Sequence, residues 1–445
     1  MSNAAPFISL RFELPQIATA EGSVLRAESP ADADLAAAIV PARAAVQRLR
    51  ELALAGDSDS PEWECLLGAS RLLQSYSTER PSSHLFRLLR LAARMRDSVD
   101  RILVLANAEQ RDLIQVLLDS CCDPYFNQLS RGQRGSRPRI TFVPTPFDVD
   151  DAHGVLQLLG KHPCRNDVES RWGLIAIREH DGQPELDPGM CFFAEELQRQ
   201  FGTAGWRDFS VVIAPASDPW NDAARRAGCQ AVVEPSFSTR HRWGGAQLHA
   251  SGLLFVAALL GIDLVKLLAG ASHAGRHFLD PQATENPSGS FVESQVACRL
   301  CSCEPYPEYH ANARALHSYA HWCERQYRAV FRGLRAATPT ARPWEAADAR
   351  QTLRLPAVPA TPLQPMPLQT VVQVERWRHN ALATIDAKQP PNSLDVKAVR
   401  GCRTTRICLP CVHEGTIGQL LAISLMAMAA EFLVRSTARS FDENA

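Results

Sequence analysis

The 445-residue chain lacks a charge excess of either sign: 47 Lys and Arg stand against 48 Asp and Glu, a formal net charge of -1. No broad field draws it toward nucleic acid or an anionic membrane surface, and neither is expected as a partner. The run MSNAAPFISLRFELP has no basic segment ahead of an apolar core, so it does not read as a secretory signal. Uninterrupted apolar runs of membrane length are missing too. Residues 253–262 are too few to cross a bilayer, which takes about 20, and 417–434 are interrupted by Gln419, Ser424 and Glu431. Both read as buried helices. No Ser-His-Asp spacing, nucleotide P-loop or Rossmann glycine fingerprint occurs, and no cofactor is expected.

What is present is the composition of a folded protein. The apolar fraction is 46%, and the length allows two or three domains. The odd count of 13 cysteines, without a leader, implies mostly reduced thiols and a cytoplasmic location. The basic run RGQRGSRPR (131–139) is expected to be a solvated loop rather than a phosphate-backbone site.

Residues 1–95 are rich in Ala, Leu and Arg with apolar positions at helical spacing, which predicts a helical amino-terminal segment. From 101 the rhythm changes. The runs RILVLA, ITFVP (140–144), GLIAI (173–177), FSVVIAP (209–215) and AVVEP (231–235) are short apolar strand candidates separated by helical patterns. Such alternation predicts a parallel sheet covered on both faces. One helix boundary is well marked: Ser217 or Asp218 can cap, Pro219 suits the first turn, and Gly228 ends the helix. The Pro-rich stretch 336–368 reads as an irregular connector. After it, TVVQVERW and TRICLP read as strands of a smaller α/β unit that 417–434 closes.

The stretch RWGGAQLHASGLLFVAALLGID (242–263) carries a resemblance. Gly244-Gly245, Gly252-Leu253-Leu254 and Gly261-Ile262-Asp263, continued by LVKLLAGA (264–271), resemble the glucose-6-phosphate isomerase family; so do the closing GTIGQLLAISLMAMAAEFL helix and Phe441-Asp442. The resemblance covers roughly residues 95–445. It implies an α/β fold of two doubly wound, parallel-sheet sugar-isomerase (SIS) domains behind a helical amino-terminal layer: 1–95, 96–275, and 276–445 with the smaller second domain. It also implies a sugar phosphate as ligand and a homodimer. Gly244, Gly245 and Ser217 become substrate-binding candidates, beside the alternative that the two glycines serve close packing alone.

The family's chemistry moves a proton between adjacent carbons. It needs a carboxylate base, a His or Lys for ring opening, a cation for developing negative charge, and hydroxyl-rich loops for phosphate. At the positions where the resemblance expects these groups, others stand. The first strand ends in Ala106-Asn107-Ala108-Glu109 rather than a glycine turn, and the third runs into Arg178-Glu179-His180-Asp181-Gly182-Gln183 rather than a Ser/Thr loop. Ala246 follows Gly245 where an arginine is expected. The aromatic helix AHWCERQYRAVF leads to Arg332-Gly333-Leu334-Arg335 without a carboxylate, the connector 336–368 has no histidine, and no lysine follows Asp442. Substitution at all of these points together implies a scaffold whose catalysis is lost or strongly altered. The alternatives are an isomerase using Glu179, His180 and Arg242 as replacement groups, or a binding and regulatory module.

Two further groupings stand out. Cys298-x-x-Cys301-x-Cys303 and Cys402-x5-Cys408-x2-Cys411 have spacing that zinc or iron–sulfur sites use, but lack the usual knuckle glycines; buried reduced thiols are the expected reading and no metal is assigned. His413-Glu414 can form an acid–base pair or simply begin a helix, with Thr416 as its cap.

Overall fold

A computed structural model describes residues 10–13, 30–55, 64–143, 145–160, 167–178, 183–233, 248–280, 287–301, 307–331, 368–376 and 403–442. The chain divides into two compact units, one of residues 1–67 with 269–445 and one of 68–268. The amino-terminal elements are β1 (Arg11–Glu13), α1 (Pro30–Ala55) and α2 (Glu64–Thr78).

The 68–268 unit alternates strand and helix: α3 (His84–Ser98), β2 (Arg101–Leu105), α4 (Ala108–Cys121), β3 (Arg139–Phe142), α5 (Val149–Leu159), β4 (Trp172–Ile177), α6 (Asp187–Phe209), β5 (Ser210–Ala214), α7 (Pro219–Arg226), β6 (Gln230–Val233) and α8 (Ser251–Leu259). All five strand candidates fall on observed strands, which pair in parallel in the order β3-β2-β4-β5-β6. Every residue of β4 and β5 is buried, as expected of central strands covered on both faces. Phe193, Leu197 and Phe201 of α6 close one side against Leu103, Leu174 and Val212. Each fully buried side chain of that size contributes about 1.5–3 kcal/mol. The α7 boundary is as marked in the sequence. Asp218 caps it by accepting from the Trp220 amide at 2.8 Å, Pro219 begins it, and Gly228 follows with φ +74°.

The RGQRGSRPR loop is not solvated in the way its composition suggests. Arg131 Nη1 reaches Asp100 Oδ1 at 3.1 Å, Arg134 Nη2 the same oxygen at 2.5 Å, and Arg139 the other oxygen, with Asp100 and Arg134 fully buried. The remaining guanidinium protons go largely to backbone carbonyls, among them Arg96 O, Val99 O, Leu129 O and Arg137 O. These arginines fasten the loop to the start of β2.

The other unit contains α9 (Leu264–Leu279) from Ala269 on, α10 (Pro287–Cys301), β7 (Glu308–Ala311), α11 (His317–Phe331), β8 (Leu368–Arg376), β9 (Arg403–Cys411) and α12 (Glu414–Asp442). β7, β8 and β9 pair in parallel, and β1 adds an antiparallel edge on β9. Except for Leu368, the Pro-rich stretch 336–368 lies outside the described residues. Gln295 of α10 ties the strands together by donating to Thr370 at 2.8 Å and accepting from Thr405 at 3.0 Å.

Helix α12 is long and apolar enough to cross a membrane, but 94% of its most apolar window is buried inside the protein. The three polar residues that interrupt its sequence each have a partner. Gln419 accepts from the Leu10 amide at 3.3 Å, Ser424 meets Tyr319 Oη at 2.7 Å, and Glu431 accepts from Arg435 at 2.7 Å beside the buried Arg299. Its cap is His413 rather than Thr416: the His413 Nδ1 accepts from the Gly415 amide at 3.0 Å, while Thr416 Oγ1 accepts from the His413 amide at 3.2 Å. This is a capping box with imidazole in the usual place of a hydroxyl.

Candidate functional site at the strand ends

In an open parallel sheet, ligands bind beyond the carboxyl ends of the strands where the winding reverses, here between β2 and β4. The chain closes much of this edge with its own side chains. Past β2, Asn107 Oδ1 accepts from the Gln110 amide at 2.8 Å, capping α4, and Glu109 sits in its first turn. One amide of the helix end that a phosphate would use is thus already taken, and a carboxylate stands beside it.

Past β4 stands Arg178, only 6% exposed. Its amide extends the ladder to Ile213 O at 2.8 Å. Its guanidinium pairs with Asp187 and with the buried Asp218 (3.4 Å), and lies 3.8 Å from the centroid of the Trp220 ring. The Trp220 indole donates to the same Asp187 oxygen at 2.9 Å, and Asn221 Nδ2 donates to Ala214 O at 2.7 Å. The sequence builds this cage from three segments. Arg178 continues β4, Asp187 opens α6, and Asp218 caps α7 while its second oxygen faces the guanidinium. One cation meets two carboxylates, so the cluster has no positive charge left for an anion.

Helix α8 begins against the same edge. A Cβ on Gly252 would lie 2.5 Å from Ile177 Cγ2, so only glycine lets the helix start this close to the end of β4. Ala250 at the cap position offers no side-chain acceptor, and Ser251 Oγ lies 2.7 Å from His84 Nε2. Burial, and then the Arg87 charge, depress the His84 pKa to about 4, so the imidazole is neutral near pH 7. His249 is buried over Gly68, whose absent Cβ leaves room for the ring.

Among the sequence candidates, Ser217 is exposed in the turn before α7 and is not its cap; Asp218 is. Glu179, His180, Arg242, Gly244 and Gly245 lie outside the described residues. Cys298 and Cys301 are buried in α10 and Cys408 in β9, with Cys411 half-buried at the end of that strand; Cys303 and Cys402 lie outside the described residues. Among the described residues, no three His, Cys, Asp or Glu side chains are grouped to hold a metal ion. Sequence reasoning missed Asp187, Trp220, His84 and His249. A caged arginine was signalled only by Arg178 itself, an obligate charge following a strand that is apolar throughout.

No protein-family model matches the chain, and comparison with curated proteins finds no matching sequence. Solved structures do match in fold. A hypothetical protein from Thermus thermophilus superimposes with a TM-score of 0.59 at 17% identity, covering 87% of this chain and 89% of that one. A glucose-6-phosphate isomerase from Chlamydia trachomatis gives 0.52 at 12% identity, covering 79% and 68%. The chain therefore shares an α/β fold with these structures; it has one parallel sheet of five strands and a second sheet of four, three of them parallel.

Proposed function

We propose that this chain is a divergent glucose-6-phosphate isomerase homologue, two SIS-type domains in descent, that keeps the scaffold as a binding module and does not interconvert aldose and ketose phosphates. The observation that carries this reading is the Arg178 cage. The family resemblance places a phosphate loop where β4 ends, and there the described cation is already matched by Asp187 and Asp218. A phosphate dianion brought to that edge meets two carboxylates and one guanidinium, a net repulsion. The capped and acidic start of α4 repeats the pattern at the end of β2. Fold does not carry function by itself, so the reading rests on these side chains. Arg242, Gly244 and Gly245 are the residues proposed to line whatever sugar phosphate is retained.

The test is a coupled assay of fructose 6-phosphate conversion to glucose 6-phosphate by the full chain, beside a thermal-shift titration with the same compounds. The expected result is turnover at background level, with a rise in melting temperature if a sugar phosphate binds the folded state. Turnover that disappears in Glu179→Gln or Arg242→Gln overturns the reading and installs those residues as replacement catalysts.

A further inference from the structure

A trough of about 390 Å³ lies within the 68–268 unit, between α3 and β6, apart from the Arg178 cage. One wall is the α3 face of His84, Arg87, Leu88, Arg90, Leu91 and Arg94; the other is the whole of β6, Gln230 to Val233. The three arginines are exposed, and among the described residues no carboxylate lines the trough. Four arginines elsewhere in the same unit are matched closely, with three on Asp100 and one between Asp187 and Asp218. Here three exposed arginines line one groove, and no described residue of its lining is an acid.

The geometry points to an extended acidic peptide as the occupant. At 1.5 Å per residue, Arg87 and Arg94 are roughly 10 Å apart along the helix. Such a row does not converge on one phosphate, but it suits carboxylates spaced along a strand, where alternate residues recur about every 7 Å. The opposite wall supplies the second half of the recognition. Among the described residues β6 pairs only with β5, no described strand lies on its other edge, and Val233 is 38% exposed. An added strand makes main-chain bonds to β6 and directs alternate side chains toward the arginines. Guanidinium groups favour carboxylates through charge-assisted, bidentate bonds. A single-stranded nucleic acid would want aromatic stacking platforms, and the described lining residues include no Phe, Tyr or Trp.

The experiment is fluorescence anisotropy of the full chain with a labelled peptide of alternating valine and glutamate, eight residues long. The expected results are saturable binding that weakens steeply with salt, a loss of at least tenfold when glutamine replaces glutamate, and a similar loss in Arg87→Glu/Arg90→Glu/Arg94→Glu. Those residues are exposed, and circular dichroism of the variant shows whether it folds. A second arm leaves the protein unaltered: N-methylation of alternate peptide amides keeps the charge, removes strand pairing and abolishes binding, and amide exchange slows at residues 231–233 on addition of the unmethylated peptide. Equal binding of the methylated peptide, tighter binding of a thymidine octanucleotide, or no saturable binding of the acidic peptide overturns the proposal.

Discussion

Removal of Asp100 should cost this fold heavily. Its carboxylate is fully buried and accepts from Arg131, Arg134 and Arg139, so one negative charge offsets three positive ones at the start of β2. Asp100→Ala leaves the wholly buried Arg134 without a counter-ion, between two like charges. Removing one partner of a buried pair usually costs about 3–5 kcal/mol, because the penalty is the unpaired charge left behind. Some relief comes from carbonyls already bonded to the guanidinium groups, such as Arg137 O to Arg134 Nε at 2.9 Å and Leu129 O to Arg139 Nη2 at 2.9 Å. The expected loss is therefore about 3 kcal/mol, read as a lower urea midpoint at unchanged slope. Asp100→Asn keeps the shape and two acceptor lone pairs but no charge, and should fall between the variant and the wild type. A loss below about 1 kcal/mol for Asp100→Ala would refute the argument, since it would mean that solvent, not Asp100, balances Arg134.

Three further outcomes follow from single contacts. The His84 imidazole titrates near pH 4 in the fold and about 6.5 when unfolded, so between those values only the unfolded chain takes up the proton. Stability thus falls as pH drops from 6.5 toward 4, by up to about 3 kcal/mol, and is insensitive to this group above that window; His84→Gln flattens that part of the stability–pH curve, and an unchanged curve contradicts the assignment. Gly270→Ala places a Cβ 2.0 Å from the Gly415 carbonyl, a backbone atom that cannot rotate away, and should destabilise by roughly 3 kcal/mol; Gly154→Ala, with nothing within 4 Å in α5, should gain about 0.5–1 kcal/mol in the same melt. His413→Ala removes the acceptor for the Gly415 amide and should cost about 1 kcal/mol, with His413→Asn restoring most of it.

The sheet of the 68–268 unit was legible because it rests on local signals. Buried parallel strands read as short apolar runs, and the Asp218-Pro219 start and Gly228 end of α7 are chemistry within a few residues of each other. Strand order was not legible in the same way, since it depends on which crossover lies on which face. The amino-terminal layer shows the limit. Helical periodicity found α1 and α3, but nothing local says that α1 packs against α10 and α12, residues more than two hundred positions away. The Gln419, Ser424 and Glu431 interruptions were visible as polar letters in an apolar run. Their partners Leu10, Tyr319 and Arg299 are distant in sequence, so only the fold explains why a buried helix tolerates them.

The strand-end site was harder to read for a physical reason. A phosphate-binding loop is written in one segment, because several backbone amides and hydroxyls converge from a single turn. A cluster that neutralises itself can be assembled from anywhere. Arg178 takes Asp187 from nine residues ahead and Asp218 from forty ahead, and stacks on Trp220 from the second of these helices. Read singly, the letters are an exposed-looking loop arginine, a helix-start aspartate and a cap. Read together, they hold the charge of Arg178 inside the protein and leave the end of β4 net negative. The residues α3 keeps exposed make the complementary point: Arg87, Arg90 and Arg94 look like the solvated face of an amphipathic helix, and only the placement of β6 opposite turns that face into the wall of a trough. In this chain the places where cationic groups remain open to an anion were decided by tertiary pairing, so they could not be located from motif spacing.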